Sequence, residues 1–346
     1  AYSTISKPGL HFNTKLYTGN SSTQAITGVG FQPDWVWIKR RDASAGHKLT
    51  DAVRGVNKQL VTNNTNAQNS DTNILTAFGS DGFTLGNSTD VNNNTSPNVA
   101  WNWKANGAGS ANTDGSINTT ATSVNTTAGF SICKWSGSGA NATIGHGLGA
   151  VPQMIITKSM ASSSWGVYHT SLGNTKILFL NETGTGGTNA AYWNNTSPTS
   201  SVFTVGSDSA VNHSGNNMIA YCFAEKKGYS KFGSYTGNGN ADGTFVYCGF
   251  KPAWIIIKES SHAGNGWHIR DIKRSPINVV DDSLYANSSN AETTNNSALY
   301  TDFLSNGFKL RNTDTNDNAS GRTYIFMAFA EEPLVANVGA SIPATA

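Results

Sequence analysis

Gly30-Phe31-Gln32-Pro33-Asp34-Trp35-Val36-Trp37-Ile38-Lys39 is the stretch on which the reading of the fold turns. It returns as Val151-Pro152-Gln153-Met154-Ile155-Ile156-Thr157-Lys158 and as Lys251-Pro252-Ala253-Trp254-Ile255-Ile256-Ile257-Lys258. In each copy a proline opens a short β-branched and aromatic run that closes on a lysine six residues later. Such runs, bounded by Gly and Pro, are strands rather than helices. Proline at a strand entrance costs no ladder hydrogen bond. Trp35 and Trp37 fall on one face and Val36 and Ile38 on the other, so the strand is expected to be covered on both sides.

Further landmarks surround this strand in a constant order. An opening motif precedes it: Tyr17-Thr18-Gly19-Asn20, Trp135-Ser136-Gly137-Ser138 and Tyr235-Thr236-Gly237-Asn238. The proline follows each opening motif by 16 or 17 residues. Phe83, Phe203 and Phe308 lie 50 to 56 residues past the prolines. VAWNWKA (99–105), MIAYCFAE (218–225) and YIFMAFAE (324–331) close the three units. Repetition at a fixed spacing marks a repeat architecture, and no stretch carries sustained helical periodicity. The expected fold is all-β: three tandem homologous β-sandwich (jelly-roll-like) domains with extended terminal arms. Short helical turns are conceivable near Thr50–Val56 and Ile272–Ser275.

The expected boundaries are an N-terminal docking arm at 1–14, repeat 1 at 15–105, repeat 2 at 129–227 and repeat 3 at 228–332. A Gly/Ser/Thr/Asn-rich linker or long loop is expected at 106–128 and a tail at 333–346. The short connection between repeats 2 and 3 makes them close neighbours. Tyr2, Ile5, Leu10 and Phe12 are the candidate anchors of the arm.

Composition narrows the function. The chain has 346 residues, a formal net charge of +2 and 13% charged residues, so a basic nucleic-acid binder is disfavoured. No apolar run reaches the ~18 residues of a membrane span. The first residues carry no apolar signal core, which suggests synthesis in a cytoplasm. Cys133, Cys222 and Cys248 are too few and too odd for a disulfide framework.

The seven histidines show no metal spacing, and Asp314-Thr315-Asn316-Asp317-Asn318 fails the calcium-loop pattern at Ala319 and Ile325. No nucleophile elbow or phosphate loop is present. No catalytic residue, metal or cofactor is therefore assigned. Aligning the repeats puts Asp51, His169 and Asp271 at one position and Arg54, Leu172 and Arg274 at another. Asp51 with Arg54, and Asp271 with Arg274, suit local structural ion pairs, which the second repeat has lost together. Trp165, Trp193 and Trp267 lie among Gly, Ser and Asn. They fit either sugar-stacking platforms or plugs at domain ends and subunit contacts.

These motifs resemble a domain found in virion-associated proteins of marine tailed phages of the cyanophage type. The resemblance rests on Tyr17-Thr18-Gly19-Asn20, Gly30–Lys39, Asp51-Ala52-Val53-Arg54-Gly55, Phe78-Gly79-Ser80-Asp81-Gly82-Phe83, Ala100-Trp101-Asn102-Trp103-Lys104-Ala105 and the third copy from Tyr235 to Glu332. The second repeat departs from it at Ser201-Val202-Phe203 and at the missing Asp/Arg pair. The resemblance implies a non-enzymatic structural protein of the virion, a tail fibre or appendage that contributes to host-surface glycan attachment. A capsid decoration or head fibre and a glycan depolymerase are the alternatives. The expected partners are the protein itself as a homo-oligomer, with a trimer in view, other virion proteins and host cell-surface polysaccharide. Nucleic acid and a membrane span are not expected.

Overall fold

A computed structural model describes residues 3–333. The described residues are built of antiparallel sheets, with only single-turn helices such as Thr89–Asn92 and Ser209–Asn212 between strands. The segments near Thr50–Val56 and Ile272–Ser275 form strand ends and turns rather than helices.

Each repeat contributes one large and one small sheet. In the large sheets the closing strand pairs with the opening strand on one side and the post-proline strand on the other. For the first repeat these strands are Pro97–Trp103, Phe12–Thr18 and Trp35–Arg40. For the second they are Asn217–Phe223, Phe130–Ser136 and Met154–Ser159. For the third they are Thr323–Pro333, Ser230–Thr236 and Phe250–Glu259. A return strand then follows the post-proline strand: Lys48–Asp51, Gly166–His169 or Trp267–Asp271. The registers coincide, since Trp35 pairs with Asp51 as Met154 pairs with His169 and Trp254 with Asp271. A separate apolar cluster fills the space between the large and small sheets of each repeat.

The repeated opening motif has a local cause. A Cβ on Gly19, Gly137 or Gly237 would stand 2.1–2.4 Å from the carbonyl oxygen of Asn93, His213 or Ala319. That close approach seats a buried asparagine beside each motif. Asn92, Asn212 and Asn318 accept backbone N–H bonds from Asn20, Ser138 and Asn238 at 2.9, 3.1 and 3.1 Å. The composition hid these three asparagines among many exposed ones.

The opposite faces of the large sheets meet in one shared core. Trp35, Trp37, Trp101 and Trp103 pack there with Phe130, Tyr221, Phe223, Trp254 and Phe329. Rings from different repeats touch directly: Trp35 stacks on Tyr221 at 4.4 Å, and Trp103 meets Trp254 edge-on at 5.6 Å. Phe223 meets Phe329 at 6.1 Å. The repeats therefore close on one another instead of stringing out as a rod.

Two further expectations change here. The segment 106–128 is not a free linker: it holds the strand Ala121–Asn125, paired with Phe130–Ser136, and Ile117 bridges to Ile144. Its entrance is tied to buried Asp34, which accepts the N–H groups of Ala105 and Gly107. The docking arm is not extended. Ile5 and Phe12 are buried in the shared core, Pro8–Leu10 forms one 3-10 turn, and Phe12 already starts a strand. Burial of an apolar side chain in its own chain's core removes it as an anchor for a partner. Leu10 is exposed, while Tyr2 and the tail beyond residue 333 lie outside the described residues.

Candidate functional site

Trp165, Trp193 and Trp267, the candidate sugar platforms, are all buried. Trp193 donates its indole N–H to the Lys176 carbonyl within its own repeat, at 3.1 Å. Trp165 of the second repeat donates to the Val61 carbonyl of the first at 3.0 Å. Trp267 of the third donates to the Phe179 carbonyl of the second at 2.9 Å. The first repeat places His47 at the equivalent position. Its Nδ1 accepts from Trp37 Nε1 at 2.8 Å, which puts the proton of the neutral ring on Nε2. None of the three tryptophans can stack on a sugar, and the polar residues flanking them in sequence only line the route into the interior. All nine tryptophans of the chain are buried to below 2% exposure. Acrylamide is accordingly expected to quench the native emission far less than that of the urea-unfolded chain. Near-equal quenching of the two states would contradict the placement of these rings.

The contacts between repeats form a closed ring. Ser163 N–H donates to Thr65 at 2.9 Å, Gly264 N–H to Thr183 at 3.0 Å and Ala45 N–H to Ser289 at 2.9 Å. The first bond joins repeats two and one, the next three and two, the last one and three. The aspartate position sits at the same three junctions. Asp51 pairs with Arg54 at 2.5 Å and accepts the Tyr221 hydroxyl of the second repeat at 2.8 Å. Asp271 pairs with Arg274 at 2.6 Å and accepts the Trp101 indole of the first at 3.0 Å.

In the second repeat the position holds His169, and the residue of the third at the place of Trp101 and Tyr221 is Met327. Methionine has no proton to give, so a buried aspartate there would lack its donor. His169 Nε2 instead donates to the Phe326 carbonyl at 3.1 Å. The joint loss of Asp and Arg follows from the change across the junction.

The lysines that end the post-proline strands are spent on backbone, and of the three Lys258 reaches another repeat, at the Thr183 carbonyl. Lys39, Lys158 and Lys258 are buried, and each ammonium donates to two backbone carbonyls. Burial lowers each to about 8. Such a value suits a nucleophilic amine, but no solvent reaches these side chains.

A pair of carboxylates is the other possible chemistry. Asp282 and Glu292 meet at the junction of repeats one and three, and burial together with Glu292 raises the Asp282 carboxyl. An acid and a base in split environments could serve glycoside hydrolysis. Glu292, however, is held by Arg41 at 2.5 Å and Arg274 at 2.8 Å, which saturate its oxygens. The cluster is a structural network. Among the described residues no group of three or more His, Cys, Asp or Glu is arranged to hold a metal, and the cysteines are buried free thiols.

A cleft of about 340 Å³ opens between the N-terminal segment and the third repeat, lined by Lys7, Leu10, Thr14, Ile272, Lys273 and Glu331. It offers two ammonium groups, one carboxylate and an apolar floor, without a nucleophile or a paired acid.

No curated protein matches the chain. One family model, described as a domain of unknown function (DUF7483), matches residues 7–333 as a single unit that spans all three repeats and their shared core. With so much of its length covered, the chain belongs to the DUF7483 family.

Proposed function

We propose that this protein is a non-enzymatic structural component of a phage particle, a tail fibre or similar appendage that contributes to attachment to host-surface glycan. Its building blocks are three β-sandwich repeats, each made of one large and one small sheet. The closed ring is the observation that carries the reading. It commits Asp51, Asp271, His169, Trp165 and Trp267 to holding three repeats together, and leaves the small sheets and loops to meet a partner. The motif resemblance supplies the particle. The threefold arrangement that a homotrimer would build between chains is supplied within one chain. Affinity for a cell surface then comes from several copies on one particle, each binding weakly.

Antibody labelling of purified particles, viewed by electron microscopy, tests this. Label at the tail or its fibres is the expected result. Label on the head would favour capsid decoration, and unlabelled particles would sink the virion reading. Release of reducing ends from exopolysaccharide by the purified protein would reinstate the depolymerase.

A further inference from the structure

Phe245 and Tyr247 are the exposed aromatic side chains among the described residues, at 44% and 60% exposure. They project from the outer face of one strand, Phe245–Tyr247, at the edge of the third repeat's small sheet. Val246 between them points inward and pairs with Phe308, as Ile26 pairs with Phe83 and Ile144 with Phe203. That register identifies the equivalents: Phe245 stands where the other repeats have Ala25 and Thr143, and Tyr247 where they have Thr27 and Gly145. The fold is built twice with small residues at these positions. Two large aromatic rings in water, on a protein that buries every tryptophan, thus have no role in the fold.

The surroundings point to the ligand. Gly307 lies opposite Tyr247. A Cβ there would come within 2.0 Å of the Val246 carbonyl oxygen, so the floor beside the tyrosine ring carries no side chain. Opposite Phe245 is Lys309, and beyond it Asp302. Asp242, 77% exposed, bonds Lys309 at 2.5 Å, and Arg311 bridges towards Asp242 and Asp302 at 3.6 and 3.5 Å. The rim therefore holds two cations and two anions on the same side as the rings. Its balanced charge complements a neutral, hydroxylated ligand better than a phosphate or a polyanion.

We propose that the Phe245–Tyr247 face binds an uncharged hexopyranose unit of a polysaccharide. The apolar C–H face of the sugar lies on the rings, and its hydroxyls meet the carboxylates of Asp242 and Asp302 and the guanidinium of Arg311. The assignment rests on the attachment reading above and names the surface that performs it.

The test uses the full chain and two exchanges that copy the residues of the first repeat, Phe245→Ala and Tyr247→Thr, made singly and together. Both side chains are exposed, so the melting temperature should hold. Saturation-transfer NMR with methyl glycosides of glucose, galactose and mannose, and an array of neutral and acidic bacterial oligosaccharides, report binding. The expected result is binding of neutral glycans that falls roughly tenfold or more in the double variant. Equal binding by wild type and double variant would overturn the site while leaving the attachment reading intact. No glycan bound by the wild type, with particles still labelled by antibody, would overturn the site together with the glycan part of the attachment reading and leave the place on the particle. Sedimentation showing a dimer that the double variant loses would overturn it too, because the face would then be a contact between copies. Unlabelled particles would remove the attachment reading, whatever the glycans do.

Discussion

Acidification from pH 6.5 to 4 is expected to remove about 3 kcal/mol of stability through His169 alone. The imidazole is buried at the junction of repeats two and three, and burial lowers its pKa from 6.5 to about 4. Between those values the unfolded chain takes up a proton that the folded chain refuses. Stability therefore rises with pH across a window of about 2.5 pH units, at about 1.36 kcal/mol per unit. Below the folded value the loss is complete.

His47 and His268 act in the same direction. Burial lowers both well below 6.5, helped by Lys39 near His47 and by Arg270 near His268. Asp34 and Asp317 act in the opposite sense, since burial raises their carboxyls and acid relieves that cost. Against a typical stability of about 5–15 kcal/mol, the His169 contribution alone is a large fraction. Urea midpoints read from tryptophan emission at pH 6.5, 5 and 4 measure the slope. His169→Gln keeps an amide donor near the Phe326 carbonyl and removes the titration. Its curve should be flatter than wild type by about 3 kcal/mol over the window. Parallel curves for the two proteins would show that His169 does not carry the effect.

Replacing Asp271 by Ala should cost about 3 kcal/mol, because the buried Arg274 guanidinium loses the nearer of its two carboxylates and keeps only Glu292. The Trp101 indole loses its acceptor in the same step. Asp51→Ala should behave alike through Arg54 and the Tyr221 hydroxyl.

A more searching experiment rebuilds the pair where it is missing. His169→Asp with Leu172→Arg should destabilise the protein, since Met327, at the place of Trp101 and Tyr221, has no proton to give the new carboxylate. Adding Met327→Tyr supplies a hydroxyl and should recover part of the loss, giving a favourable coupling of about 1 kcal/mol or more. Additive effects of the two sets of changes would refute the argument that the residue at that place dictates the junction position. Thermal and urea unfolding of the variants measure both effects.

The repeats and the positions of their main strands were legible in the sequence because each rests on local chemistry. Proline at the entrance, alternation of Trp35, Val36, Trp37 and Ile38, and Gly19, Gly137 and Gly237 at the turns all act within a few residues of themselves. The equivalence of Asp51, His169 and Asp271 was readable for the same reason, and the common register places all three beside the post-proline strand. Trp165 and Trp267 were not readable. Their neighbours in the chain are polar, while the surfaces that bury them belong to another repeat about a hundred residues away. The segment 106–128 looked like a linker because its residues are small and polar, yet backbone pairing at 121–125 needs no apolar side chain.

By itself, then, the sequence determined an all-β chain of three related units with a constant order of strands. Only the tertiary structure decided that the apolar inner faces close around one core rather than extend as a rod. It alone also decided which aromatic residues face water. The reason is physical: hydrophobic burial depends on what lies opposite in space, whereas periodicity records only that a face must be covered. Phe245 and Tyr247 read like any other alternating strand residues until every tryptophan is seen to be inside.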